Sequence, residues 1–256
     1  MDLNLKGRTA LVTGASRGIG RGVAQLLAAE GCHLHLAARN AADLDSARKE
    51  ITGTHGVQVH THALDLSREA NMIKLVAQCG PVDILVNNAG AIPHAAITEF
   101  SDESWRAGWD LKVFGFINLT REIYREMCAS KRGVIINVAG VAGERPLANY
   151  IAGSMGNAAL MTMSRALGAD SVKHGVRVVA VNPGGIETER QEASWRQRAR
   201  ELFGDESRWR EMGEKRPIKR FGTVEEVANM IVFLCSDRCS YVSGTVITVD
   251  GGTSAA

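Results

Sequence analysis

The stretch from Thr9 to Leu27 constrains this 256-residue chain more than any other. A short apolar run, Thr9 to Thr13, breaks into Gly14-Ala15-Ser16-Arg17-Gly18-Ile19-Gly20, and Ile19, Val23, Leu26 and Leu27 then recur at helical spacing. A strand that turns through glycines into a helix has a specific use. Gly14 permits the tight turn, Gly18 a close backbone approach, and Gly20 close packing of the helix. The helix N-terminus offers N–H groups and a positive dipole end to a pyrophosphate. The spacing is Gly-x3-Gly-x-Gly rather than Gly-x-Gly-x-x-Gly. A glycine turn with no ligand is the plain alternative, and its position at the end of the first strand argues against it.

The rest of the chain repeats the theme. Strand-like runs are expected at His33–Ala37, Val57–His62, Val82–Val86, Val134–Val138, Val176–Val181 and Val246–Val249. Helical patterns lie between them at Ala41–Thr52, Ser67–Gln78, Trp105–Ala129, Ala148–Val172 and Val224–Leu234. Short, nearly all-apolar strands alternating with helices predict an α/β fold, one doubly wound parallel sheet of Rossmann type covered on both faces. No linker divides the chain, so residues 1–256 are expected to form one dinucleotide-binding domain. One interruption, about 189–216, carries eight Arg/Lys against seven Asp/Glu together with Trp195 and Trp209. It reads either as a solvated helical insertion or as a lid over the site.

Composition narrows the partners. Thirty Lys and Arg against 28 Asp and Glu leave a net charge of +2, with no basic footprint for nucleic acid or an anionic membrane. No apolar stretch is long enough for a transmembrane helix, and no signal peptide is expected at the N-terminus. The five cysteines, Cys32, Cys79, Cys128, Cys235 and Cys239, match no zinc or redox spacing. Free thiols in a reducing cytoplasm are the expectation, with a small molecule as substrate.

Here the chain resembles the short-chain dehydrogenase/reductases, over nearly its whole length. Thr13-Gly14-Ala15-Ser16-Arg17-Gly18-Ile19-Gly20 is similar to the family's cofactor turn. Ala63-Leu64-Asp65-Leu66 resembles the segment that contacts adenine, and Asn87-Asn88-Ala89-Gly90 the end of the fourth strand. Asn182-Pro183-Gly184 with Ile186 and Thr188 resembles the nicotinamide side. Val242-Ser243-Gly244 and Val249-Asp250-Gly251-Gly252 resemble the C-terminal strand. The resemblance implies a homo-oligomer, a tetramer or a dimer, paired through the two long helices. It also implies an oxidoreductase moving a hydride between a nicotinamide cofactor and a carbonyl or alcohol.

Which cofactor follows from charge. A carboxylate ending the second strand would accept hydrogen bonds from the ribose 2′-OH of NAD. This chain has Ala38 there, then Arg39, with Arg17 in the glycine turn. Two guanidinium groups and no carboxylate suit a 2′-phosphate, so NADP(H) is favoured over NAD(H).

In the active site the sequence departs from the family, which commonly uses Asn, Ser, Tyr and Lys. Tyr150 matches the tyrosine, as proton donor and cofactor neighbour. Four residues on, where the family has lysine, stands Ser154; Gly140 falls at the serine, and Asp110 at the asparagine. Without an ammonium a phenol is a poor base but still a proton donor, so reduction is the favoured direction. Lys112, two residues from Asp110, points to another helix face and is set aside as a replacement. His94 is either a substrate-lining side chain or an acid–base group. Glu144 and Arg145 either bind or polarise substrate or, by default, form a surface ion pair. His33, His35, His60 and His62 place imidazoles in pairs on strand faces, with no third ligand in the pattern, and no metal is expected. Trp105 and Trp109 read as packing or subunit contacts. The competing function is an NADP(H)-binding protein of this fold with weak or lost redox activity.

Overall fold

The computed structural model describes residues 1–256. Seven parallel strands form one sheet in the order β3-β2-β1-β4-β5-β6-β7. They are β1 (Thr9–Thr13), β2 (His33–Ala38), β3 (Val59–Ala63), β4 (Ile84–Asn87), β5 (Gly133–Val138), β6 (Val176–Pro183) and β7 (Thr245–Val249). The α/β reading therefore holds, with β3 starting two residues later than its apolar pattern does.

Helices cover both faces. On one, α1 (Gly18–Ala29), α2 (Ala41–Thr54) and α9 (Val224–Cys235) bring Val23, Leu27, Leu44, Ile51, Val227 and Ile231 against Val12, Leu34, Val86 and Ile136. On the other, α3 (Glu69–Cys79) and α5 (Gly115–Ser130) bury Leu75, Leu119, Ile123 and Met127 against Leu11, Leu85 and Ile135. Each such side chain contributes about 1.5–3 kcal/mol by leaving water. Strand order reverses between β1 and β4, and ligands of open parallel sheets bind outside the strand C-termini at that crevice.

Two segments differ from the periodicity. The expected single helix Trp105–Ala129 is α4 (Asp102–Trp109), a π-helical turn Asp110–Phe114, and α5. Gly115 N–H reaches back five residues to the Asp110 carbonyl, which widens the turn and hides the change from a 3.6-residue pattern. The segment after β6 folds as α7 (Glu189–Phe203), a 3-10 turn Glu206–Arg210 and α8 (Glu211–Glu214). It has its own small core: Trp195, Ala199 and Trp209 packed with Phe221, the Trp195 and Phe221 rings stacked at 3.7 Å.

The strand histidines gain a neighbour that period-two spacing does not show. His35 Nδ1 and His62 Nε2 lie 2.9 Å apart, and Cys79 Sγ of α3 comes within 3.9 Å of His62 Nε2. Three ligand-type atoms therefore meet where the sequence pattern holds two. The two imidazoles already bond each other, and His62 Nδ1 is 3.0 Å from Gln78 Oε1. All five cysteines are free, and burial pushes the Cys32 and Cys79 thiols up to about 12. No helix is long and apolar enough to cross a membrane.

Candidate active site

The glycine turn is bound into the fold from below. Thr13 Oγ1 accepts hydrogen bonds from the N–H groups of Asn88 (2.9 Å) and Ala89 (3.0 Å), tying the end of β1 to the segment after β4. Asn88 Nδ2 donates to the Thr13 carbonyl at 3.1 Å. Gly14 and Gly18 have φ of +65° and +55°. A Cβ on Gly20 would stand 2.3 Å from the Gly14 carbonyl oxygen, so only glycine lets α1 start this close to the strand end. No side chain caps that start: Arg17 at the N-cap makes no capping bond. The first-turn N–H groups are left for an anion. Thr188, the N-cap of α7, faces the turn, its Cγ2 3.4 Å from where a Gly18 Cβ would be.

The other cofactor candidates fall into place around this turn, with one turned away. Ser16 and Leu66 are buried, Ile19 is half-buried, and Gly90 lies against the stem of Lys112. Asp65 accepts from the Ser67 N–H and hydroxyl. Burial opposes its ionisation, but the Ser67 bonds, with Arg39 and Arg68 nearby, hold its carboxyl below the usual range. Arg39 and Arg17 are exposed. Pro183 ends β6, Gly184 packs on Asp250, and Ile186 is buried. Asn87 points inward: its Nδ2 donates to Thr120 Oγ1 and Asn137 Oδ1. The turn, the uncapped helix and the phosphate-side arginines fit a dinucleotide, which Thr13, Gly14, Ser16, Gly18, Ile19 and Gly20 would hold.

Beyond β5 the substrate half is built differently. Tyr150 precedes α6 (Ile151–Ser171), and its ring folds back over Gly153, where a Cβ would come within 2.0 Å of its Cζ. His94 stacks on the other face, centroids 4.2 Å apart. Burial raises the Tyr150 pKa, against a smaller opposing pull from the Arg190 guanidinium. Burial likewise lowers His94, helped by Arg190 and Arg198 and opposed by a backbone bond at Asn149. At neutral pH the pair is a neutral phenol on a neutral imidazole.

Ser154, four residues after Tyr150, is buried, its Oγ accepting from the Leu147 N–H at 3.1 Å. The helix residue that reaches the end of β5 is Asn157. It is 2% exposed, its Oδ1 has no partner, and its Nδ2 would lie 2.9 Å from a Cβ on Gly140. Gly140 itself has φ +145° and is bonded through its N–H to Asn182 Oδ1 at 3.3 Å. A serine there would meet both strain and Asn157. The sequence reading missed Asn157 and Gly153. The available signal was an asparagine in the otherwise apolar or small stripe Gly153, Gly156, Leu160, Ser164.

Asp110 and Lys112 do face different ways, and it is Lys112, set aside on the sequence, that reaches the end of β5. Asp110 is exposed, whereas Lys112 turns in and donates from Nζ to the Ala139 carbonyl at 2.8 Å. Burial, with the Arg190 charge, pushes its ammonium down to about 7. Arg190 of α7 spans the opening and donates from Nη1 to the Gly90 carbonyl at 2.7 Å. Glu144 and Arg145 are engaged elsewhere, Glu144 accepting from Thr248 Oγ1 and Arg145 donating to the Thr253 carbonyl. Trp109 Nε1 donates to the Ala152 carbonyl, fastening α4 to α6.

Comparison with known proteins gives one consistent answer. A family model described as Enoyl-(Acyl carrier protein) reductase matches residues 14–254. L-xylulose reductase of Bos taurus is 34% identical over 253 residues, 98% of each chain. The crystal structure of L-sorbose reductase from Gluconobacter frateurii, complexed with NADPH and L-sorbose, superposes with a TM-score of 0.95 at 34% identity, covering 100% of both chains. A 7α-hydroxysteroid dehydrogenase complexed with NADH and 7-oxo glycochenodeoxycholic acid gives 0.87 at 29% identity, covering 98% of this chain and 96% of that one. Sheet order, glycine turn and whole-length similarity agree: this chain is an oxidoreductase-type enzyme belonging to the short-chain dehydrogenase/reductase family.

Proposed function

We propose that the protein is an NADP(H)-dependent reductase of a small carbonyl compound, with Tyr150 as the proton donor. The observation that carries this reading is a tyrosine ring held over Gly153 and stacked with His94, at the strand edge that also holds the glycine turn. Bound NADPH supplies the hydride. The chain supplies the rest: Thr13, Gly14, Ser16, Arg17, Gly18, Ile19 and Gly20 hold the phosphate side, and Arg39 beside Asp65 receives the 2′-phosphate. Ala89, Gly90, Pro183, Gly184, Ile186 and Thr188 shape the nicotinamide side, while Asn87, turned inward onto Thr120 and Asn137, braces the end of β4 from behind. The Tyr150 hydroxyl gives its proton to the oxygen of the carbonyl as that oxygen gains charge. Loss of such a general acid costs about 10²–10⁴-fold in rate.

Reduction is the easier direction. A raised phenol pKa keeps the donor form present throughout the neutral range, while the base needed for alcohol oxidation forms only above it. The NADPH complex of the L-sorbose reductase at a TM-score of 0.95 supports the cofactor choice alongside Ala38 and Arg39. We assign residues 1–256 to a single domain, 189–216 to a lid, the working form to a homotetramer and its setting to the cytoplasm. The test is NADPH and NADH oxidation across ketoses, keto acids and cyclic ketones, with molar mass measured by light scattering. Turnover with NADPH is expected. Faster turnover with NADH overturns the cofactor choice, and a stable monomer overturns the tetramer.

The second reading, a cofactor-binding protein without redox turnover, is favoured by one observation: Gly140 and Ser154 stand where the family has its serine and lysine, and Ser154 is buried with its Oγ bonded to the Leu147 N–H. Tight NADPH binding with no oxidation by any carbonyl would select it.

A further inference from the structure

We infer that the substrate of this site carries a negative charge, a carboxylate or a phosphate, close to its reacting carbonyl, and that Arg190 of α7 receives it, with Arg198 as a second, outer charge. This rests on the reductase reading above and adds the chemical class of its substrate.

The distribution of ion pairs along the lid segment carries the inference. Arg196 pairs with Glu192 and Arg200 with Glu206. Arg208 pairs with Glu211, and Arg210 lies 4.0 Å from Glu187. Arg216 lies over the Phe221 ring and bonds Thr253 Oγ1. Arg190 and Arg198 alone among these arginines have neither a carboxylate partner nor an aromatic face, although four of the segment's seven acidic residues, Glu189, Glu201, Asp205 and Glu214, pair with no arginine.

Of the two, Arg190 is placed at the site by geometry: its guanidinium bonds the Gly90 carbonyl, and the stem of Lys112 packs on Gly90 from within. Arg190 is anchored by one nitrogen, Nη1, on the Gly90 carbonyl, which leaves the rest of its fork without a protein partner. A guanidinium fork matches a carboxylate or phosphate through two parallel hydrogen bonds. Its charge acts on Tyr150, His94 and Lys112 at once, and Arg198 adds to it at His94. Below lies the Lys112 ammonium, whose bonding partner is the neutral Ala139 carbonyl. Neither Arg190 nor Lys112 pairs with a carboxylate; both bond backbone carbonyls. Arg190 is exposed and Lys112 half-buried beneath it, so like charges meet at the rim of the site, and an anionic ligand relieves their repulsion.

The test is calorimetric binding to protein saturated with NADPH, using matched pairs: benzoylformate and its methyl ester, levulinate and its methyl ester, dihydroxyacetone phosphate and dihydroxyacetone. At low ionic strength at least one charged member is expected to bind about tenfold or more tightly than its neutral partner. The first two pairs against the third separate carboxylate from phosphate. Arg190→Gln should abolish the preference, Arg198→Gln reduce it, and Arg190→Lys keep most of it. Arg196→Gln, already paired with Glu192, should change nothing. Equal binding of charged and neutral partners overturns the inference, as does a preference that survives Arg190→Gln. So does silence of every charged probe at about 10 mM. If Arg190→Gln instead weakens NADPH and spares the preference, Arg190 serves the cofactor's phosphates and the inference fails. NADPH oxidation by the same probes, run in parallel, keeps the two readings apart. Charge-selective binding without turnover upholds the anionic class and sinks the reductase. Turnover of neutral probes alone does the reverse.

Discussion

The two halves of the ligand edge are built on different principles. On the β1–β4 side, backbone does the work: glycine conformations, an uncapped helix start and the Thr13 hydroxyl linking two strand ends. On the β5–β6 side, side chains do it. There Gly140 and Gly153 withhold side chains, and Asn157, Tyr150, His94, Lys112 and Arg190 occupy or border the space. Phosphates are common to every dinucleotide, so the first half has little freedom. Substrates differ, so the second is where a shared fold acquires its own chemistry.

The sharpest way to break the comparison is through Tyr150. Tyr150→Phe is expected to lower NADPH-coupled turnover by about 10²–10⁴-fold while NADPH affinity stays within a few-fold. Gly153→Ala approaches the same outcome indirectly, because the new methyl would stand 2.0 Å from the Tyr150 Cζ and drive the ring away. Helix propensity alone would make that change stabilising by about 0.8–1 kcal/mol, so turnover that falls while helicity is kept ties the loss to ring position. Unchanged turnover in both variants removes Tyr150 from the chemistry and makes His94→Ala the next measurement.

On the other half the largest effect is expected from the phosphate arginines. Arg39→Ala should weaken NADPH by roughly tenfold to a hundredfold and leave NADH nearly unchanged, since a charged hydrogen bond is worth about 1.5–3 kcal/mol. Fluorescence titration of both cofactors reads it directly. Equal weakening of NADH would mean that Arg39 contacts something common to both.

The smallest effect concerns Lys112. Its ammonium, pushed down to about 7, is charged below that pH and lost above it. An ordinary lysine in the unfolded chain keeps its proton to about 10.4, so between these values the unfolded state binds more protons and stability rises with pH. Lys112→Met should therefore raise the melting temperature by a few degrees at pH 7 and flatten its rise toward pH 9. It should also lower turnover of an anionic substrate below pH 7, where the wild type carries the charge. A lower melting temperature would mean that the bond to Ala139 outweighs the cost of burying the charge.

Much of this was legible in the residues and some was not, for identifiable reasons. Backbone-driven features leave glycines at fixed intervals, so Gly14, Gly18 and Gly20 announced the cofactor turn and the short apolar strands announced the parallel sheet. Lys112 was set aside because a regular helix turns it to a different face from Asp110, the residue at the family's asparagine position. The π turn at Asp110–Phe114 has no periodic signature, and the inward residue is two places on. Asn157 went unseen because a spacing of four was counted from Tyr150, which precedes the helix, rather than from Gly153 beneath its ring. Cys79 beside His62 is a contact between residues 17 apart on a helix and a strand, which strand spacing cannot express. Arg190 looked like one charge among many until its neighbours were found paired.

The most direct test of the central claim is hydride transfer itself. The protein is incubated with NADPH deuterated on the transferring face of the nicotinamide and with the best-bound carbonyl, and the products are read by mass spectrometry. The account predicts one deuterium on the carbinol carbon of the alcohol, formed in step with NADP⁺ and lost together with turnover in Tyr150→Phe. Bound, unoxidised NADPH and an alcohol fraction free of deuterium would contradict it.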